Sequence, residues 1–246
     1  RMVEANGARL IDINMGCPAK KVTSSSGAGA SGSALMKDLD HALTLIEAVV
    51  GATKVPVTLK TRLGWDDQLM NAPELAKRAE NAGVQMITIH GRTRCQFYKG
   101  RADWAAIRAV KQAVRIPVVA NGDIVNGASA QRALEQSGAD GVMIGRGAQG
   151  RPWLLAQVAA ELWGAPAPQV PQSGDFEDMV AEHYEDMLRF YGPELGNRVA
   201  RKHLGWYLGE AGTGAEMRKR VLTSRDSAEV LRLIPQAIRD GERMAA

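Results

Sequence analysis

Five short runs rich in Val and Ile constrain this chain more than anything else in it: LIDI (10–13), VPVTL (55–59), MITI (86–89), IPVVA (116–120) and GVMI (141–144). Near-continuous apolar strands of this length suit a parallel sheet buried on both faces. Helical patterns separate them, over 40–50, 72–82, 103–114 and 128–137. Strand then helix, repeated, predicts βα units joined by right-handed crossovers. Gly7-Ala8, Gly83-Val84 and Gly138-Ala139 precede three of the runs. They read as helix C-caps turning into the next strand.

The carboxyl end of each run carries glycine or a polar group. In order these are Asn14 and Cys17, Lys60 and Arg62, His90 and Arg92, Asn121-Gly122-Asp123, and Gly145-Arg146-Gly147. A (β/α)8 barrel builds its active site from this end of its strands. A doubly wound sheet follows a similar rule, so placement alone leaves both open. A barrel needs eight strands and five are readable. The chain also opens on what reads as half a helix, residues 2–6. The expectation is a TIM barrel lacking its first three βα units, about 70–90 residues. A five-stranded open sheet is the competing fold.

The pattern changes after Trp163. Pro166, Pro168 and Pro171 mark residues 164–174 as a semi-rigid linker. Beyond it Phe176, Met179, Val180, His183, Met187, Leu188 and Tyr191 recur at helical spacing, and further helices are expected over 197–208 and 227–239. Three parts follow: a partial barrel over 1–163, the linker, and an all-helical domain over 175–246.

Several classes are set aside. Two cysteines cannot make a disulfide framework, which suits a reducing, cytoplasmic setting. No run approaches a membrane-spanning length of uncharged apolar residues. No His, Asp or Glu set has metal-ligand spacing, so no metal is expected. A net charge of +4 permits a nucleic-acid partner without arguing for one.

The candidate residues each have two readings. The glycines of Asn121-Gly122-Asp123 and Gly145-Arg146-Gly147 either make tight turns or let backbone N–H groups approach a phosphate. Lys60 is either a snorkelling surface lysine or a functional one, a cation serving an electron-rich cofactor or a Schiff-base amine. His90 is either a hydrogen-bonded core residue or a catalyst. Cys17 sits between a glycine and a proline at a strand mouth. Its thiol is either packing or a reagent, nucleophile or proton donor. Cys95, in a polar loop, reads as incidental. Arg198, Arg201 and Lys202 share a helix face at i, i+3 and i+4. Residues 189–220 carry seven basic and three acidic side chains. That face is either a solvated charge run or, with Trp206 and Tyr207 beside it, a seat for a phosphate backbone.

DINMGCPAKKV, VPVTLKTRLGW, ITIHGRTR, IPVVANGDI and GVMIGRGAQGRPW, in this order, resemble the tRNA-dihydrouridine synthases. The tail RVARKHLGWYL resembles their bacterial B branch, and the likeness runs from about Gly7 to Leu208. The resemblance implies an FMN-binding (β/α)8 barrel with a helical tRNA-binding domain. It also implies a cytoplasmic enzyme that reduces tRNA uridine, here in the D-loop, with NADPH as reductant, and a monomeric state is expected. It implies Cys17 as the catalytic acid, Lys60 and His90 at the isoalloxazine, and Asn121, Gly122, Asp123, Gly145 and Arg146 along the ribityl chain and phosphate. Asn14 and Arg92 would meet the flipped uracil or the flavin, and Arg198, Arg201 and Lys202 the tRNA. One stretch departs from the family pattern: TSSSGAGASGSALM (23–36) is longer and richer in Ser and Gly. An RNA-binding protein without catalysis, or another FMN-barrel oxidoreductase, are the alternative readings.

Overall fold

The computed structural model describes residues 1–25 and 27–245, so Ser26 of the Ser/Gly-rich stretch and Ala246 lie outside the described residues. The chain divides into two compact units, Arg1–Gly145 and Arg146–Ala246.

The first unit is the βα part. Its strands are β1 (Ile11–Asn14), β2 (Val57–Arg62), β3 (Met86–His90), β4 (Val118–Asn121) and β5 (Gly141–Met143). Its helices are α1 (Met2–Ala5), α2 (Lys20–Thr23), α3 (Leu39–Ala52), α4 (Ala72–Asn81), α5 (Ile107–Ala113) and α6 (Gly127–Ser137). All neighbouring strands are parallel, in the order β1-β2-β3-β4-β5. A doubly wound sheet reverses its order at a switch point. These five strands run in sequence order without such a reversal.

The register sorts the strand side chains onto two unlike faces. Ile13, Leu59, Ile87 and Val118 pair across four strands, and Thr61, Ile89, Ala120 and Val142 do the same one step further on. That face is apolar apart from Thr61. It packs on Ile46 of α3, Leu75, Ala76 and Ala79 of α4, and Ile107 and Val110 of α5. Burying each Leu, Ile or Val there contributes about 1.5–3 kcal/mol. The opposite face carries Asp12, Asn14, Thr58, Lys60, Arg62, Thr88, His90 and Asn121. The sheet is therefore not apolar on both sides, as the runs suggested. Period-two alternation puts the polar residues together.

The two ends of the sheet also differ. Near the strand starts, acids bind backbone N–H groups. Glu4 takes Lys54 N–H at 3.2 Å, Glu80 takes those of Arg115 and Ile116 at 2.8 and 2.9 Å, and Asp140 takes Val118 N–H at 2.7 Å. These contacts fix where strands begin, the stability role expected at this end. Gly7, Gly83 and Gly138 have φ of 91, 103 and 66°, the left-handed turn predicted for helix ends.

The second unit is helical: α7 (Leu154–Trp163), α8 (Ser173–Tyr191), α9 (Pro193–Glu210), α10 (Ala215–Thr223) and α11 (Ser227–Ala245). Residues 164–172 form no helix or strand. Its core joins Phe176, Val180, Tyr184 and Met187 of α8 to Leu204, Tyr207 and Leu208 of α9 and to Val230, Leu233, Ile234 and Ile238 of α11. Tyr191, expected on the apolar face of α8, is exposed. Buried Glu177 holds Arg239 through two contacts of 2.8 and 2.7 Å. No helix among the described residues is long and apolar enough to cross a membrane.

Candidate active site

The polar face of the sheet is richest in function-bearing groups on β2 and β3. Lys60 and Arg62 are two residues apart on one strand, so both side chains rise from this face. Lys60 lies inside β2 rather than at its end. It is half-buried and makes no hydrogen bond or ion pair with the described residues. Burial, then the neighbouring Arg62 charge, push its ammonium below the ordinary lysine range, while Asp12 opposes the shift.

Arg62 is fully buried. Its Nε donates to the Gly16 carbonyl at 2.8 Å, and its Nη1 to the carbonyls of Thr93 and Phe97 at 2.9 and 2.8 Å. It is thus a rivet between the segment after β1 and the loop after β3. Nothing in the sequence assigned it that role, because all its partners lie 31 to 46 residues away.

Arg92 is a second rivet, also fully buried. It clamps Asp123 with two contacts, 2.9 Å from Nη1 and 2.6 Å from Nη2. Its Nε and Nη2 reach the carbonyls of Lys99 and Gly100 at 3.0 and 2.7 Å, and Nη1 lies 3.3 Å from His90 Nε2. Asp123 in turn accepts from Ala102 N–H at 2.8 Å and holds a left-handed φ of 55°. Bidentate Arg–carboxylate contacts are among the stronger polar pairings. They support that backbone strain here.

His90 ends β3, level with Arg62 on β2 and Asn121 on β4. Burial comes first, then Arg62, Lys60 and Arg92, in lowering its pKa to about 3, with only Asp123 opposing. The imidazole is therefore neutral at physiological pH. Gly122 leaves room for it: a Cβ there would stand 2.7 Å from His90 Cδ2 and 2.8 Å from the Ala102 Cβ. Gly122 also needs its φ of 113°, and its carbonyl accepts from Trp104 Nε1 at 2.8 Å.

Cys17 follows β1 at the same end of the sheet and is half-buried, with a free thiol. The chain around it is fixed from both sides. Asn14 Oδ1 accepts from Gly16 N–H at 3.0 Å, and the Cys17 carbonyl accepts from Ser33 N–H at 3.0 Å and Ser33 Oγ at 2.8 Å. Ser33 to Met36, within the Ser/Gly-rich stretch, are buried. Gly32 touches the same carbonyl so closely that a Cβ would stand 2.8 Å from it. Cys95 is exposed and free.

The first unit thus brings Asn14, Cys17, Lys60, His90, Arg92, Asn121, Gly122 and Asp123 to one end of one sheet. Asn121 is turned to its neighbour strand, donating to the Met143 carbonyl at 2.8 Å. Gly145 closes the unit with nothing within 4 Å of where a Cβ would stand. Arg146 opens the second unit and is exposed. On α9, Arg198 and Lys202 are exposed and Arg201 is half-buried with its Nε unpartnered. His183 and His203 lie beside them, ring centroids 5.1 Å apart, and His183 Nδ1 is 3.0 Å from the Tyr207 hydroxyl.

The dihydrouridine synthase family model matches residues 1–241 of this chain. A probable tRNA-dihydrouridine synthase of Rhodobacter capsulatus is 60% identical over 98% of the chain and 73% of that protein. One from Rickettsia conorii is 54% identical over 94% and 68%, respectively. The tRNA-dihydrouridine synthase B of Vibrio vulnificus is 48% identical over 87% of the chain and 65% of that protein.

Proposed function

The chain belongs to the dihydrouridine synthase family, and from this premise we propose how its residues reduce a uridine of tRNA to 5,6-dihydrouridine. The observation that carries the reading is Lys60, a half-buried ammonium with no hydrogen bond or ion pair among the described residues, on one face with the neutral imidazole of His90. Leaving such a cation unpaired is costly unless a ligand completes it.

The cofactor we propose is FMN, and the donors fit it. Lys60 and His90 offer N–H groups to the acceptor edge of an isoalloxazine. Asn121, Gly122 and Asp123, with Gly145 and Arg146, are proposed to border its ribityl chain and phosphate, Asp123 through the turn it holds. Bound and reduced, FMN supplies the hydride, and NADPH is the proposed source of its electrons.

The rest falls to the chain. Uridine C6 is the far end of a double bond conjugated with the C4 carbonyl. A hydride added there leaves an enolate that needs one proton at C5. Cys17 is proposed to give it from its thiol and to regain it from solvent. Arg62 holds the Gly16 carbonyl and Ser33 the Cys17 carbonyl, one on each side of Cys17, and so limit where that thiol can stand. Asn14 is proposed to meet the uracil, and Arg92 to act there through His90. The target base has to leave the tRNA stack. Arg198, Arg201 and Lys202 are proposed to grip the tRNA backbone. The D-loop as target, the five strands as an arc of a (β/α)8 barrel, a helical tRNA-binding part within 175–246, a monomeric state and action in the cytoplasm complete the proposal.

Purified protein supplied with FMN, NADPH and unmodified tRNA tests it. Dihydrouridine detected by nucleoside mass spectrometry is the expected result, with at least a hundredfold loss in Cys17→Ala, the lower end of general-acid contributions. No product, or full turnover by Cys17→Ala, overturns the respective part.

A further inference from the structure

The contact between Arg92 and His90 has a direction. A guanidinium donates and never accepts. Arg92 spends its five N–H groups on five acceptors: Lys99 O, Gly100 O, both Asp123 oxygens and His90 Nε2. The imidazole nitrogen facing Arg92 must therefore offer a lone pair. A neutral ring with a lone pair on Nε2 carries its proton on Nδ1.

We infer that Arg92, aimed by Asp123, is a positioning residue that fixes His90 as the neutral Nδ1–H tautomer and so makes it a hydrogen-bond donor to ligand. Three further observations support it. The ring is packed on its Nε2 side, since a Cβ on Gly122 would stand 3.0 Å from Nε2 and 2.7 Å from Cδ2. Burial first, and then the Arg62, Lys60 and Arg92 charges against the Asp123 carboxylate, disfavour a second proton on the ring. Asp123 is already bound twice by Arg92 and once by Ala102 N–H. Nδ1 has no partner among the described residues. It is the ring's one polar atom left for a ligand, and a donor there selects a ligand with a carbonyl oxygen or an unprotonated ring nitrogen. That ligand is the flavin only if the proposed function holds; the tautomer does not depend on it.

The test is long-range ¹H–¹⁵N correlation NMR on the full chain labelled at histidine, with His90→Gln to assign the signal among four histidines. The expected spectrum at neutral pH has His90 protonated at Nδ1 and bare at Nε2, and unchanged at pH 5. An Nε2–H ring, or an imidazolium at pH 5, overturns the inference in the unsubstituted protein with no variant needed. Arg92→Lys and Asp123→Asn loosen the clamp. Each is expected to shift His90 toward mixed tautomers while the other histidine signals hold still. A folded Arg92→Lys protein that keeps the pure Nδ1–H form overturns the role of Arg92. Titration of FMN into the same sample separates the two readings: absence of binding with the tautomer intact sinks the flavin assignment alone.

Discussion

Arg62 Nε lies 2.8 Å from the Gly16 carbonyl, so a fully buried guanidinium of β2 grips the residue before Cys17. The same group holds Thr93 and Phe97. Arg62→Met would leave three carbonyls short of a donor. Hydrogen bonds to charged groups are worth about 1.5–3 kcal/mol each, and they are not additive. A loss of about 3 kcal/mol or more in urea unfolding of the first unit is expected. In a Cys95→Ser background, iodoacetamide should alkylate Cys17 several times faster in Arg62→Lys than without it. An unchanged rate would show that the loop stands without its rivet.

Gly122→Ala meets two obstacles together, a φ of 113° and a contact 2.7 Å from His90. The expected cost is about 2–4 kcal/mol by chemical denaturation. The His90 NMR signal should move with it. An equally large cost with an unmoved His90 signal would place the strain elsewhere.

Lys60→Met is expected to act with opposite signs on stability and on binding. Removing a desolvated ammonium should raise the stability of the ligand-free protein by about 1 kcal/mol. FMN affinity, read from quenching of flavin fluorescence, should fall at least tenfold. Lowered stability, or unchanged affinity, contradicts the role given to Lys60.

His90 has a lowered pKa, about 3 in the fold against 6.5 for the free side chain. Between those values the unfolded chain binds the extra proton and the folded chain does not. Stability is therefore lost as pH falls from about 6.5 toward 3, by a few kcal/mol in all. His90→Gln has no such proton to take up. The stability difference between it and the parent protein should drift in the variant's favour on going from pH 7 to pH 4. A pH-independent difference would mean that His90 titrates normally.

Glu177→Gln breaks a two-contact pair whose carboxylate is buried while its partner Arg239 is largely exposed. The exposed partner limits the cost to about 1–3 kcal/mol, seen as an earlier melting of the helical unit.

Much of the scaffold was legible because it is written locally. The alternation of runs and helical patterns, the left-handed turns at Gly7, Gly83 and Gly138, and the helical tail all follow from residues near in sequence. The polarity of the sheet was harder to read. The run ending at Leu59 continues as Lys60-Thr61-Arg62, where alternate residues face opposite sides, and its apolar count hid two cations on one of them. The internal work of the arginines was not legible at all. Arg92 was expected to meet a ligand, and its five donors serve Asp123, two carbonyls and His90. Such partners are 2 to 31 residues away and are selected by loop geometry, which no local pattern encodes.

The unlike faces of the sheet have a thermodynamic corollary. A surface bearing a lysine unpartnered among the described residues is poorly sealed by another apolar layer, so a molecule that completed it would become a constituent of the native state. A ligand bound only by the folded form stabilises it by mass action, about 2.7 kcal/mol at a hundred times its dissociation constant. The melting temperature of the protein would then itself be a gauge of occupancy, and resistance to proteases would rise with the supply of that ligand.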